Sequence, residues 1–344
     1  MNSPATIRKA EIRLTGLAPL ILALPLQAAA QPADEYTRCV MELVGNAADD
    51  VTVAAIRHAC EADRPTTSQP EPAARSDGGG ATPLEKRLAM ESATDVIPFV
   101  ITPHKPNYLI ASYNTLDYKE SLFEQQFKEN VSLKNAEVDF QISFKFPAIR
   151  GIFNTRTNLY FSYTNRSFWQ VFDRADSAPF RETNHEPEVW LAIPTRFRVL
   201  GFDNRLLTLG IVHQSNGRGG VLSRSWNRVY ATFVFERGNL AFALKPWWRL
   251  QESRNDDDNP DIEDYLGYFE FLTVYKHGRQ SVDMLVRNTL RDDYRGALQL
   301  GYTFPIKKHV HGYVQYFHGY GESLIDYDHK VRKLGLGIKL TDWL

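Results

Sequence analysis

Cysteine is nearly absent from this chain: its 344 residues include only Cys39 and Cys60. No Cys-x-x-Cys spacing and no close histidine cluster accompanies them, which disfavours a thiolate metal site or a redox pair. In an oxidising compartment the expectation is one Cys39–Cys60 disulfide. An excess of either charge is also missing. Lys and Arg number 40 against 41 Asp and Glu, and the basic residues are scattered, which excludes the basic stripe of a nucleic-acid binder. Beyond residue 30 no run of about 18 apolar residues occurs, so a membrane-spanning helix is excluded. Gly78-Gly79-Gly80 is not followed by Lys-Ser or Lys-Thr and is no phosphate loop.

What is present begins with a leader. Arg8, Lys9 and Arg13 flank or precede an apolar stretch over 14–26, and Ala28-Ala29-Ala30 follows, the pattern of a signal peptide over 1–30. The mature chain is therefore expected to start near Gln31, in the periplasm, the outer membrane or the medium. Residues 31–62 carry helical periodicity, with Val40, Leu43, Val51, Val53 and Ile56 suited to a small periplasmic hairpin stapled by the two cysteines. Pro, Ser, Thr, Ala and Gly dominate 63–83, so a flexible linker is expected over 63–96, before a domain over 97–344.

In that last domain the period changes to two. Glu137, Asp139, Gln141, Ser143 and Lys145 alternate strictly with Val138, Phe140, Ile142, Phe144 and Phe146, and Leu334, Leu336, Ile338 and Leu340 alternate with Gly335, Gly337 and Lys339. Each is a strand with one wet and one apolar face. About twelve such segments are predicted, centred near residues 110, 140, 160, 192, 209, 232, 243, 270, 284, 300, 314 and 336. Tight connections near 237–239, 277–279 and 306–308 contrast with long polar ones near 115–132, 168–185, 216–226, 250–262 and 320–330. An even strand count with short turns at one end and long loops at the other predicts an all-β fold, a twelve-stranded antiparallel transmembrane β-barrel of a bacterial outer membrane. The terminal Thr341-Asp342-Trp343-Leu344 comes near the aromatic ending usual for such barrels, although its last residue is leucine.

The fifth segment and its loop read Gly210-Ile211-Val212-His213-Gln214-Ser215-Asn216-Gly217-Arg218. His213 and Ser215 are two apart and leave the same face of a strand, roughly 6.6–6.8 Å apart along it. If the hairpin returning through Ser223-Arg224-Ser225-Trp226-Asn227 sets Asn227 opposite His213, one imidazole nitrogen can bond the amide while the other takes the Ser215 proton. That is the nucleophile, base and orienter of a serine hydrolase. Parity puts all three on the lipid-facing side, because Leu207, Leu209 and Ile211 share the register of His213 and Ser215, and Val229, Ala231, Phe233 and Phe235 share that of Asn227. An enzyme that attacks membrane lipid needs that face, whereas a pore would keep its polar residues inward. An asparagine there also avoids the ~1–3 kcal/mol that an aspartate facing hydrocarbon would cost.

His213 to Arg218, followed by Ser223-Arg224-Ser225-Trp226-Asn227-Arg228 and preceded by Ser177-Ala178-Pro179-Phe180-Arg181-Glu182-Thr183-Asn184, resembles the signature of outer-membrane phospholipase A, and the similarity runs from about Pro98 to the C-terminus. The resemblance implies calcium-dependent hydrolysis of acyl esters in phospholipids and lysophospholipids by a barrel active as a homodimer. It implies Ser215 as nucleophile, His213 as base and Asn227 as its orienter. Ca2+ would be held by the backbone carbonyl of Arg218, by Ser223 and by the carbonyl of Ser177 from the second subunit, with the site near the outer leaflet. His185 departs from the family pattern, which has a tyrosine there. Asp256-Asp257-Asp258-Asn259-Pro260 could bind a divalent cation, but a solvated acidic loop is the simpler reading; Trp247, Trp248 and Tyr268 could contact substrate, but an aromatic girdle is the simpler one. Two other readings remain open at this stage: a passive pore or transport barrel with a structural trio, and a barrel that anchors the N-terminal segment.

Overall fold

Alternation of wet and apolar residues at 137–146 becomes the core of a 17-residue strand, and eleven further segments follow the same rule. The computed structural model describes residues 80–97, 100–174, 177–253, 255–292, 295–307 and 310–344. The expected signal peptide, the 31–62 hairpin and the Cys39–Cys60 pairing lie outside these residues. Twelve strands form the wall: β1 Asn107–Asn114, β2 Ala136–Ile152, β3 Thr157–Trp169, β4 Phe180–Pro194, β5 Phe202–Ser215, β6 Ser225–Arg237, β7 Leu240–Leu250, β8 Phe269–His277, β9 Gln280–Asn288, β10 Gly296–Pro305, β11 His311–Gly319 and β12 Val331–Thr341. Each pairs antiparallel with its sequence neighbours, and β12 pairs with β1, Leu336 opposite Ala111, which closes the barrel and leaves no long open edge. Two-residue bridges, Thr102–Pro103 on β2 and Arg198–Val199 on β5, complete the sheet.

All twelve expected segment centres fall inside strands, and the connections alternate in length as expected. Turns at 153–156, 195–201, 238–239, 278–279 and 306–310 mark one end; loops at 115–135, 170–179, 216–224, 251–268, 289–295 and 320–330 mark the other. The loop expected over 168–185 shrinks to 170–179. Polar rungs such as Ser167 opposite Thr183 and Asn165 opposite His185 continue the ladder of β3 and β4, so composition there resembled a loop while the backbone stays paired.

Parity sorts the side chains. Ile142, Leu209, Ile211, Val229, Leu334 and Leu336 are exposed on the outside, where lipid would cover them. The inside is polar and crossed by paired charges, with a cavity of about 160 Å³ left among them. Arg181 lies 2.8 Å from Glu137 and also pairs with Asp326, while Lys333 Nζ sits 2.5 Å from Glu137, 2.7 Å from Glu322 and 2.9 Å from Asp139. Buried ions persist only when paired in this way. Trp247, expected in the girdle, is instead inside, with its Nε1 donating to the carbonyl of Gly267 at 3.1 Å, whereas its neighbour Trp248 is 76% exposed on the outer face. Adjacent residues of a strand cannot share a face.

The linker expectation over 63–96 is corrected in part. Pro83–Asp95 form helix α1, begun by a capping box of Thr82 and Glu85 with Pro83 in the first turn. Polar side chains, not an apolar stripe, dock it to the barrel interior. Glu91 meets Lys145 at 2.8 Å, Glu85 meets Arg205 at 2.5 Å, Arg87 donates to the carbonyl of Trp343 at 2.6 Å, and Asp95 accepts from Tyr160. Hydrophobic periodicity has nothing to read in such a helix, and a Pro, Thr and Gly-rich lead-in resembled a linker.

Candidate active site

The β5–β6 hairpin is in the register that the trio requires. His213 lies opposite Asn227, and Ser215 opposite Ser225. Along β5, Leu209, Ile211 and His213 are exposed while Thr208, Gly210 and Val212 are buried, so the trio stands on the outer face at the loop end of two strands. His213 Nδ1 donates to Asn227 Oδ1 at 2.9 Å. A proton on Nδ1 leaves Nε2 as the acceptor, the tautomer able to take a proton from a hydroxyl. The Asn227 amide is itself held, because its Nδ2 donates to Glu252 Oε1 at 2.8 Å. Among the described residues no hydrogen bond yet joins His213 to Ser215; in substrate-free sites such contacts are commonly long and close on binding.

Asn216 shapes the loop after Ser215. Its buried side chain accepts from the Arg218 and Arg224 amides at 3.2 and 3.0 Å and donates to the Leu222 carbonyl at 2.8 Å. Gly217 at φ +65° and Gly220 at φ +64° supply the left-handed turns that this clamp needs, at little steric cost. The Asn216 amide is bonded to the Arg224 carbonyl, and that of Arg218 to Asn216 Oδ1. The Gly217 amide between them has no partner among the described residues. Arg218 turns its guanidinium back onto the carbonyls of Phe180 and Arg181 at 3.0 and 2.7 Å, tying this loop to the start of β4.

The acidic loop is folded, not simply solvated. Arg249 holds Asp257 at 2.6 Å, buried Asn259 accepts from the Ser225 amide at 3.0 Å, and Ser223 donates to Asp258 Oδ2 at 2.5 Å. The bonds of Glu252 to Asn227 and of Asp258 to Ser223 have no signal in the sequence, since partners 25 and 35 positions apart carry no periodicity. Ser223 Oγ and the Asp258 carboxylate that it bonds are oxygens, the donor type that a hard cation such as calcium takes. Ser177 sits in the 170–179 loop at the same end, in a left-handed backbone conformation at φ +60°, and makes no hydrogen bond to Arg218 or Ser223 within this chain. A separate buried carboxylate cluster, Glu137, Asp139 and Glu322, lies in the lumen with the Lys333 ammonium already at its centre. His185 lies opposite Ser215 across β4 and β5, its Nδ1 2.6 Å from the Tyr163 hydroxyl, so the residue that departs from the pattern is a direct neighbour of the serine.

The Phospholipase A1 family model matches residues 84–340, beginning within α1 rather than at the first strand. Phospholipase A1 of Escherichia coli K12 is 40% identical over 245 residues, 71% of this chain and 83% of that protein. Among solved structures, outer membrane phospholipase A from Escherichia coli is 38% identical with a TM-score of 0.67, covering 72% of this chain and 95% of its own. A Salmonella typhi outer membrane phospholipase, solved as a dimer with bound calcium, is 37% identical with the same TM-score over 72% and 94% of the two chains.

Proposed function

The chain belongs to the Phospholipase A1 family, a lipid-hydrolysing enzyme on an outer-membrane barrel, and on that premise we propose that it cleaves acyl esters of phospholipids and lysophospholipids with Ser215, His213 and Asn227. The observation that carries the assignment is the 2.9 Å bond from His213 Nδ1 to Asn227 on the lipid-facing wall, two residues from Ser215. A lipid can then be attacked from the membrane plane without being drawn into the lumen.

Ser215 Oγ attacks the ester carbonyl carbon while His213 Nε2 takes its proton, and Asn227 Oδ1 holds the resulting imidazolium through Nδ1. The Gly217 amide, unpartnered among the described residues, would donate to the oxyanion. Collapse breaks the carbonyl carbon to alkoxide oxygen bond, and His213 returns the proton to the departing lyso-lipid oxygen. Water repeats the sequence on the acyl-serine, with His213 as base, and releases the fatty acid.

Calcium fits the oxygen donors of this loop. The Arg218 carbonyl and Ser223 Oγ would hold it, with Asp258 adding charge and the backbone carbonyl of the partner subunit's Ser177 completing the set in a homodimer. Bound there, the ion would supply positive charge beside the oxyanion. The dimeric, calcium-bound Salmonella typhi relative supports this reading.

The test is phospholipid turnover by detergent-purified wild type and Ser215→Ala, each with calcium and with a chelator. Ser215→Ala is expected to lose on the order of 10⁴-fold or more in kcat, and chelation to abolish wild-type turnover. Equal turnover by the two proteins would overturn the nucleophile; turnover indifferent to the chelator would remove the metal and leave the trio.

A further inference from the structure

We propose that Glu252 is a positioning residue for this trio: its carboxylate fixes the Asn227 amide with the oxygen toward His213, and so selects the reactive tautomer. The inference rests on the trio proposed above. It starts from a chain of two hydrogen bonds, Glu252 Oε1 to Asn227 Nδ2 at 2.8 Å and Asn227 Oδ1 to His213 Nδ1 at 2.9 Å.

An asparagine differs from the aspartate of a charged triad in having two unlike ends. Turned with Nδ2 toward the imidazole, it would donate to Nδ1 and push the proton to Nε2, and His213 could no longer accept from Ser215. Something must therefore choose the rotamer. Glu252 offers only acceptors when ionised, so it can pair with Nδ2 and not with Oδ1.

Its placement follows from the strand. Leu250, the last residue of β7, is the register partner of Asn227, and Glu252 lies two residues further on, with the parity of the same outer face. A carboxylate at that point lies beyond the strand end, where the depth-dependent cost of charge is smallest. The wall thus keeps a neutral amide next to the imidazole and sets the charge one residue removed from it. Glu252 makes no ion pair with a described lysine, arginine or histidine, so a surface salt bridge does not account for its position.

The experiment compares kcat and KM for Glu252→Ala and Glu252→Gln, each in the wild-type and Asn227→Ala backgrounds, with heat-modifiable gel migration of every variant reporting barrel assembly. Glu252→Ala is expected to lower kcat about 10-fold with KM unchanged, since substrate does not touch this residue. Glu252→Gln, whose amide oxygen still accepts from Nδ2, is expected to retain kcat within about threefold. In the Asn227→Ala background Glu252→Ala should change nothing further, because its effect passes through the amide. Wild-type kcat for Glu252→Ala, equal losses for the Gln and Ala variants, or the same 10-fold loss in the Asn227→Ala background would each overturn the proposal. Failure of the trio itself gives a different result: Asn227→Ala alone would then leave kcat unchanged.

Discussion

At the position of Asn227 the usual intuition about triads reverses. Aspartate orients and stabilises the histidine of many serine hydrolases, yet here Asn227→Asp would bring a second carboxylate against Glu252, in place of a 2.8 Å hydrogen bond. Two unit charges about 4 Å apart repel by about 4 kcal/mol at an effective dielectric near 20. Asn227→Asp is therefore expected to lower kcat at least about 10-fold at neutral pH, and the double variant with Glu252→Gln to recover most of it. A kinetic comparison of the single and double variants decides this; no recovery would mean that Glu252 does not face residue 227 in the working enzyme. The choice of asparagine thus has two physical supports, the cost of charge on a lipid-facing wall and the carboxylate already beyond it.

At the scale of elements, α1 is the least predictable part of the barrel domain and the one whose docking depends most directly on charge. Burial opposes ionisation of Glu91, but the adjacent Lys145 and Arg87 outweigh it and hold the carboxyl below its ordinary value of 4.5. A carboxyl depressed in the folded state stabilises the docked helix fully above its unfolded value, and that contribution is lost as pH falls through the folded one. Asp95 works in the opposite sense, since burial raises it despite the Tyr160 hydroxyl and Lys145, so acid relieves rather than weakens that end of the helix. Protection of the 83–95 amides against hydrogen exchange, corrected for the intrinsic pH dependence of exchange, is expected to hold above pH 4.5 and to fall as the pH drops below it, and Glu91→Gln should flatten that fall while weakening protection at neutral pH. Protection that does not change below pH 4.5 would show that the Glu91–Lys145 pair does not hold the helix.

For the whole molecule, the two faces of the wall separate a polar lumen from an apolar outer belt. The lumen is occupied by Arg181, Lys333, Glu137, Glu322 and Asp326 in contact with one another, with α1 docked to interior side chains at one end. The barrel reconstituted in a planar bilayer is accordingly expected to give no steady ion conductance, and stable open-channel steps would contradict a lumen closed by these ion pairs. What remains for function is the outer face, where His213, Ser215 and Asn227 interrupt an apolar belt.

The sequence alone determined the strands and their faces and brought His213, Ser215 and Asn227 onto one of them, because period-two alternation records burial directly and because the shared apolar parity of the two strands of that hairpin fixes which side chains face outward. Even the departure at His185 was visible there, although only strand pairing made it the neighbour of Ser215. Tertiary structure decided the rest. Glu252 on Asn227, Asp258 on Ser223, the inward turn of Trp247 beside an outward Trp248, and the docking of α1 on Lys145 and Arg205 are polar or irregular contacts between separate segments. Such contacts have no period along the chain, and a hydrogen-bonding side chain can satisfy itself with water or with a distant partner equally well until the fold brings one within reach.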